Sequence, residues 1–167
     1  HPAFGAPLVG PDCIITSNAE SVIADIGHPL ADPARVRTRW PEHLSPGGEP
    51  VDLSHAPPPR SGHSRRAFLA DFPGRNAFVS IANPVTGLRA RIEWEAADFP
   101  YAWYWLEAGG RGGFPWYGDA YVLGIEPCTS YPTGGIGAIR ALSGTQVVIP
   151  AGAEVTRSVA VSFGALA

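Results

Sequence analysis

Leu88, Ala90, Ile92 and Trp94 alternate with Arg89, Arg91 and Glu93, the period-two pattern of a strand with one buried and one charged face. Short runs of similar character recur at Cys13 to Thr16, Ser21 to Asp25, Arg66 to Phe72, Ala77 to Ala82, Ala102 to Leu106, Ala120 to Glu126, Gln146 to Ile149 and Val155 to Phe163. Turn residues punctuate them and little helical period intervenes, so the pattern predicts an all-β sandwich or barrel. In the last run Val155, Arg157, Val159, Val161 and Phe163 share a mostly apolar face, which predicts a strand after the Pro150-Ala151-Gly152-Ala153 turn.

Two stretches depart from this rhythm. Pro41 to Arg60, with Ser45-Pro46-Gly47-Gly48 and Ala56-Pro57-Pro58-Pro59-Arg60, predicts a long loop, because proline blocks ladder hydrogen bonds. Glu107 to Gly118 holds Gly109-Gly110-Arg111-Gly112-Gly113 and then Phe114-Pro115-Trp116-Tyr117. It lacks the lysine and the following helix of a phosphate-binding loop, and predicts a turn with an aromatic tip.

Composition adds bounds. With 167 residues, 45% hydrophobic and 16% charged, the chain is long enough for a single domain spanning 1–167 with its own core. Gly 20 and Pro 18 fit a turn-rich β chain. A net charge of -3 supplies no basic field, which argues against nucleic acid or an anionic membrane as partner. No apolar run approaches the ~20 residues of a spanning helix, so the chain is expected to be soluble. Cys13 and Cys128 match no zinc or redox spacing, and two distant cysteines suit unpaired thiols in a reducing compartment, the cytoplasm. His28, His43, His55 and His63 show no ligand spacing, so no metal site is expected.

Candidate chemistry sits at both ends of the chain. In Tyr121-Val122-Leu123-Gly124-Ile125-Glu126-Pro127, alternation puts Tyr121, Leu123 and Ile125 on one face and Val122, Gly124 and Glu126 on the other. Glu126 thus lies beside a strand glycine, a place where another group approaches closely, and Pro127 should end the ladder. The carboxylate reads either as a general base or as a rim residue answering an arginine. His1, in His1-Pro2-Ala3-Phe4-Gly5, can exchange a proton near neutral pH.

His-Pro-Ala-Phe-Gly at residues 1–5, followed far downstream by Tyr-Val-Leu-Gly-Ile-Glu-Pro-Cys-Thr-Ser-Tyr-Pro at 121–132, resembles the aldose 1-epimerase (galactose mutarotase) family. Asn83-Pro84-Val85-Thr86-Gly87 and Ile149-Pro150-Ala151-Gly152-Ala153-Glu154 add to the resemblance, which runs through nearly the whole chain in order. Gly5 stands where the family usually has Asn, and its Asp-His pair has no clear counterpart near Gly62-His63-Ser64. Family members are substantially longer, with a second active-site histidine and an arginine in the half that would precede His1. The resemblance therefore implies the C-terminal part of a mutarotase-type β-supersandwich.

It also implies roles: Glu126 as the base that takes the anomeric proton and His1 as the acid that protonates the ring oxygen, with no metal or organic cofactor. The implied partner is a small aldose. Phe4 in the same segment is placed at the substrate, and Trp105 or Trp116 is a candidate platform for the C–H face of a sugar ring, core packing being the other reading of Trp103 and Trp105. Two further functions stay open: a non-catalytic carbohydrate-binding module, and a relative acting on hexose 6-phosphates. Arg111 and Arg140 are the arginines nearest in sequence for the latter. Neither the sugar nor the oligomeric state is legible.

Overall fold

A computed structural model describes residues 1–25, 37–45 and 47–166. Twelve strands and one helix follow one another as β1 (Ala3–Phe4), β2 (Ile14–Ser17), β3 (Ser21–Ala24), β4 (Arg37–Arg39), β5 (Glu42–Leu44), β6 (Pro50–Asp52), β7 (His63–Ala70), β8 (Asn76–Asn83), β9 (Leu88–Glu95), β10 (Tyr101–Ala108), β11 (Tyr121–Cys128), α1 (Gly135–Leu142) and β12 (Val159–Ala165). The order β1-β11-β10-β7-β3-β4 makes a six-stranded sheet and β12-β9-β8-β2 a four-stranded one, with β5-β6 a separate pair. Every named pairing is antiparallel. The architecture is the all-β sandwich that the alternation predicts.

One apolar layer joins the sheets. Leu69, Tyr104, Leu106, Leu123 and Ile125 from the larger sheet share a core cluster with Ile15, Val79, Ile81, Ile92 and Trp94 from the smaller. Burying an aliphatic side chain of this kind contributes about 1.5–3 kcal/mol. Ala90, Ile92 and Trp94 are buried, as their alternation requires, whereas Leu88 at the strand start is exposed. On the outer face Arg91 pairs with Glu93 at 3.0 Å and lies over the Phe78 ring.

The structure corrects several expectations. Pro41 to Arg60 is not one loop: β5 and β6 form a hairpin within it, and Leu53 and Ala56 are buried. The Tyr104 hydroxyl donates to the Leu53 carbonyl at 3.1 Å and Tyr121 to the Pro57 carbonyl at 2.9 Å, which ties the segment to the sandwich. Gln146 to Ile149 is no strand. Val147, Val148 and Ile149 are exposed, with no ladder to join among the described residues. The final strand begins at Val159 rather than Val155, and its apolar residues Val159, Val161 and Phe163 are exposed on the sheet edge. Helix α1, unannounced by Gly134-Gly135-Ile136-Gly137, buries none of its residues and runs against the low helix propensity of glycine. Cys13 and Cys128 are free thiols. No helix among the described residues is long and apolar enough to cross a membrane, and His28 lies outside those residues.

Candidate active site

Strand β11 sorts its side chains as alternation demands: Leu123 and Ile125 enter the core while Gly124 and Glu126 face the opposite side of the sheet. Register then assembles neighbours on that opposite side, because directly paired residues share a face. Across to β10, Glu126 is opposite Trp103 and Gly124 opposite Trp105; across to β7, Trp103 meets Phe68 and Trp105 meets Arg66. Phe68 and Trp103 stack at 6.3 Å between ring centroids. Trp116, from the loop after β10, meets Trp105 edge-on at 5.2 Å. Trp105 and Trp116 are thus a half-exposed floor, while Trp103 packs against a second, smaller core cluster of Ile23, Phe68 and Ala70, as its core reading expects, and Tyr104 enters the main core.

Pro127 does not end the ladder, since β11 continues through Cys128 against Tyr101. Backbone alternation explains this. The Ile125 N–H donates outward to the Pro2 carbonyl at 3.0 Å, so the N–H that Pro127 lacks would fall on the same outer side, beyond the reach of β1.

The two ends of the sequence meet through β1. It pairs with β11 as Ala3 opposite Gly124 and Phe4 opposite Leu123, and continuing that register sets His1 opposite Glu126. His1 Nε2 lies 2.6 Å from Glu126 Oε1. The approach misses hydrogen-bond alignment, leaving buried Oε1 with no hydrogen-bond donor among the described residues. His1 is 68% exposed at its side chain and Glu126 only 9%. Burial pushes the Glu126 carboxyl up to about 7, and the positive amino terminus pulls it partly back. A carboxyl in that range can both hold and release a proton near neutral pH.

Phe4, expected at the substrate, instead points into the core, 7% exposed, with its ring 6.2 Å from that of Phe163. Its partner Leu123 is a core residue, and a residue three positions from His1 and one from Ala3, the residues opposite Glu126 and Gly124, must take the other face.

Four charged residues flank the aromatic floor that the sequence did not single out together. Glu107 is fully buried, accepts from Ser64 Oγ at 2.9 Å and from the Arg111 backbone N–H at 3.0 Å, and has Arg111 Nε at 3.5 Å. Asp25 accepts from Thr133 Oγ1 at 2.6 Å and its N–H at 3.1 Å, with Arg66 at 3.7 Å. The legible signal was Glu107 continuing the period-two face of Trp103 and Trp105. Arg140, on the last turn of α1, is exposed and joins neither ion pair of this cluster among the described residues. Two tight approaches shape the loop after β10: a Cβ on Gly110 would meet the backbone of His63 and Ser64 at 2.7 Å.

Elsewhere, a polar cavity of about 510 Å³ is lined by residues including Arg75, Glu95, Asp98 and Arg157, at the edge of the smaller sheet. Its charges pair among themselves, Arg75 with Glu95 and Arg157 with Asp98. Among the described residues no His, Cys, Asp and Glu group is arranged to hold a metal ion.

No family model matches the chain, and no curated protein matches it by sequence. A solved structure does: that of a "putative aldose 1-epimerase" from Klebsiella pneumoniae subsp. pneumoniae, with a TM-score of 0.59 and 15% identity over 99% of this chain. The likeness is one of fold. The chain spans 37% of that protein's length.

Proposed function

We propose that the chain belongs to a carbohydrate-active isomerase that interconverts the α and β anomers of an aldose. The observation that carries this reading is Glu126, a buried carboxyl raised to about 7, held against His1 beside Trp105. Ionised Glu126 takes the proton from the anomeric hydroxyl; His1 in its protonated form gives one to the ring oxygen. The bond between the anomeric carbon and the ring oxygen breaks as the carbonyl forms, the aldehyde turns, and the reverse steps close the ring on its other face. Each group contributes roughly 10²–10⁴ in rate by general acid-base catalysis. In the free protein the two groups touch, so the sugar must part the imidazole from the carboxylate and lie between them. The exposure of His1 favours that separation.

Optical rotation of freshly dissolved α-D-glucose and α-D-galactose tests the reading. The wild type accelerates the decay and Glu126→Gln does not; equal rates for the two proteins would refute it. A second reading, a sugar-binding module without catalysis, draws support from the direct His1 to Glu126 contact and from the 37% span of the structural relative. Sugar binding without mutarotation would select it.

A further inference from the structure

On the face that carries Glu126, the carboxylates of Asp25 and Glu107 are held by hydrogen bonds while the guanidinium groups beside them are not. Both oxygens of Asp25 are engaged by Thr133, and both oxygens of Glu107 by Ser64 and the Arg111 backbone. Among the described residues the two guanidinium groups beside them have only loose ion pairs, Arg66 to Asp25 at 3.7 Å and Arg111 to Glu107 at 3.5 Å. The Arg66 separation exceeds a hydrogen bond, and its side chain is only 20% exposed. A guanidinium carries five N–H donors and no acceptor, so two such loose pairs leave donors for a further acceptor.

Position completes the pattern. Arg66, Trp105 and Gly124 form one row across β7, β10 and β11; with strands about 4.8 Å apart, Arg66 stands about 10 Å from the strand that bears Glu126. A sugar on Trp105 with its anomeric end at Glu126 therefore presents its other end to Arg66 and Arg111. Burial and the nearby Arg111 charge both disfavour the Arg66 positive charge, while Asp25 and Glu107 favour it; a bound anion adds to the favourable side.

We propose that Arg66 and Arg111 form an anion-binding edge of this site, and that its sugar carries a phosphate or carboxylate on the end away from the anomeric carbon. This rests on the mutarotase reading only in taking Glu126 as the anomeric end. The two sources share one chemistry, oxygen acceptors matched to paired guanidinium forks.

The test compares D-glucose, D-glucose 6-phosphate and D-glucuronate, by mutarotation rate and by titration calorimetry, on the full chain. At least one anionic sugar should bind about tenfold or more tightly than glucose, as one charge-assisted hydrogen bond implies. Preference for the phosphate alone, or the carboxylate alone, identifies the source. Arg66→Gln and Arg111→Gln should bring the ratio of KM values toward one, Arg66→Lys should restore part of it, and Arg75→Gln, on the other sheet, should leave it intact. Equal affinity for all three sugars, or a preference that survives Arg66→Gln and Arg111→Gln, overturns the inference. Mutarotation of glucose with equal affinities would overturn it alone and leave the proposed function standing. Arg66-dependent binding of an anionic sugar without mutarotation would support it and refute the isomerase.

Discussion

A Cβ on Gly124 would stand 2.9 Å from Oε1 of Glu126 and 3.3 Å from the Trp105 ring. The strand keeps a glycine there because its own carboxylate folds back over that position, above the indole. Glu126 is thereby held against the aromatic floor instead of extending into solvent.

Gly124→Ala should therefore displace the carboxylate or the indole. Mutarotation falls by about tenfold or more, since small misplacements of a catalytic group are costly. Thermal unfolding changes little, because alanine is the better strand residue by about 0.5–1 kcal/mol and the group it meets is the mobile end of a side chain. A loss of activity matched by a large drop in Tm would point to a structural defect instead.

The titration of Glu126 predicts two pH dependences. Because its folded pKa is raised from 4.5 to about 7, the native state binds the proton more tightly than the unfolded chain. The resulting stability is fully present below about 4.5 and is lost as pH rises through about 7. Tm of the wild type relative to Glu126→Gln should decline across that window and flatten above it. Activity should move oppositely, rising with pH through about 7 as the base ionises. Parallel Tm profiles for the two proteins would contradict the assignment.

Trp116 lies on the loop rather than in the core, so Trp116→Ala should weaken sugar binding with little effect on stability. Stacking of this kind is worth about 0.5–1.5 kcal/mol, a rise in KM of several-fold with kcat less affected. Unchanged KM would remove Trp116 from the substrate floor.

Tyr104 is fully buried and its hydroxyl holds Leu53. Tyr104→Phe should cost about 1–3 kcal/mol, the penalty for leaving a buried carbonyl unpaired, read as a lowered denaturant midpoint with an unchanged m-value. No shift would mean that the segment after β6 is anchored by other contacts.

What the sequence disclosed follows from what alternation encodes. Ala90, Ile92 and Trp94 were placed correctly because a half-buried strand writes its period directly into residue order. Val159, Val161 and Phe163 carry the same signal yet are exposed, since alternation says which side chains share a face and not whether anything covers it. Gln146 to Ile149 has strand-forming residues and no partner strand among the described residues; pairing is a tertiary fact. The same limit hid Arg66 and Glu107. Their common face with Glu126 depends on the registers joining β7, β10 and β11, which no local spacing reveals. Phe4 failed for the complementary reason: near His1 in sequence, it takes the opposite face of β1.

The central claim is that Glu126 exchanges a proton with an anomeric hydroxyl, and anomer exchange can be measured directly. Magnetisation transfer between the α and β C1 resonances of an equilibrated aldose, with wild type, Glu126→Gln and His1→Ala, reports the rate without any downstream step. The account predicts enzyme-dependent exchange that Glu126→Gln abolishes and His1→Ala reduces by roughly 10²–10⁴. Exchange no faster with the wild type than in buffer, across neutral and anionic aldoses alike, would contradict it.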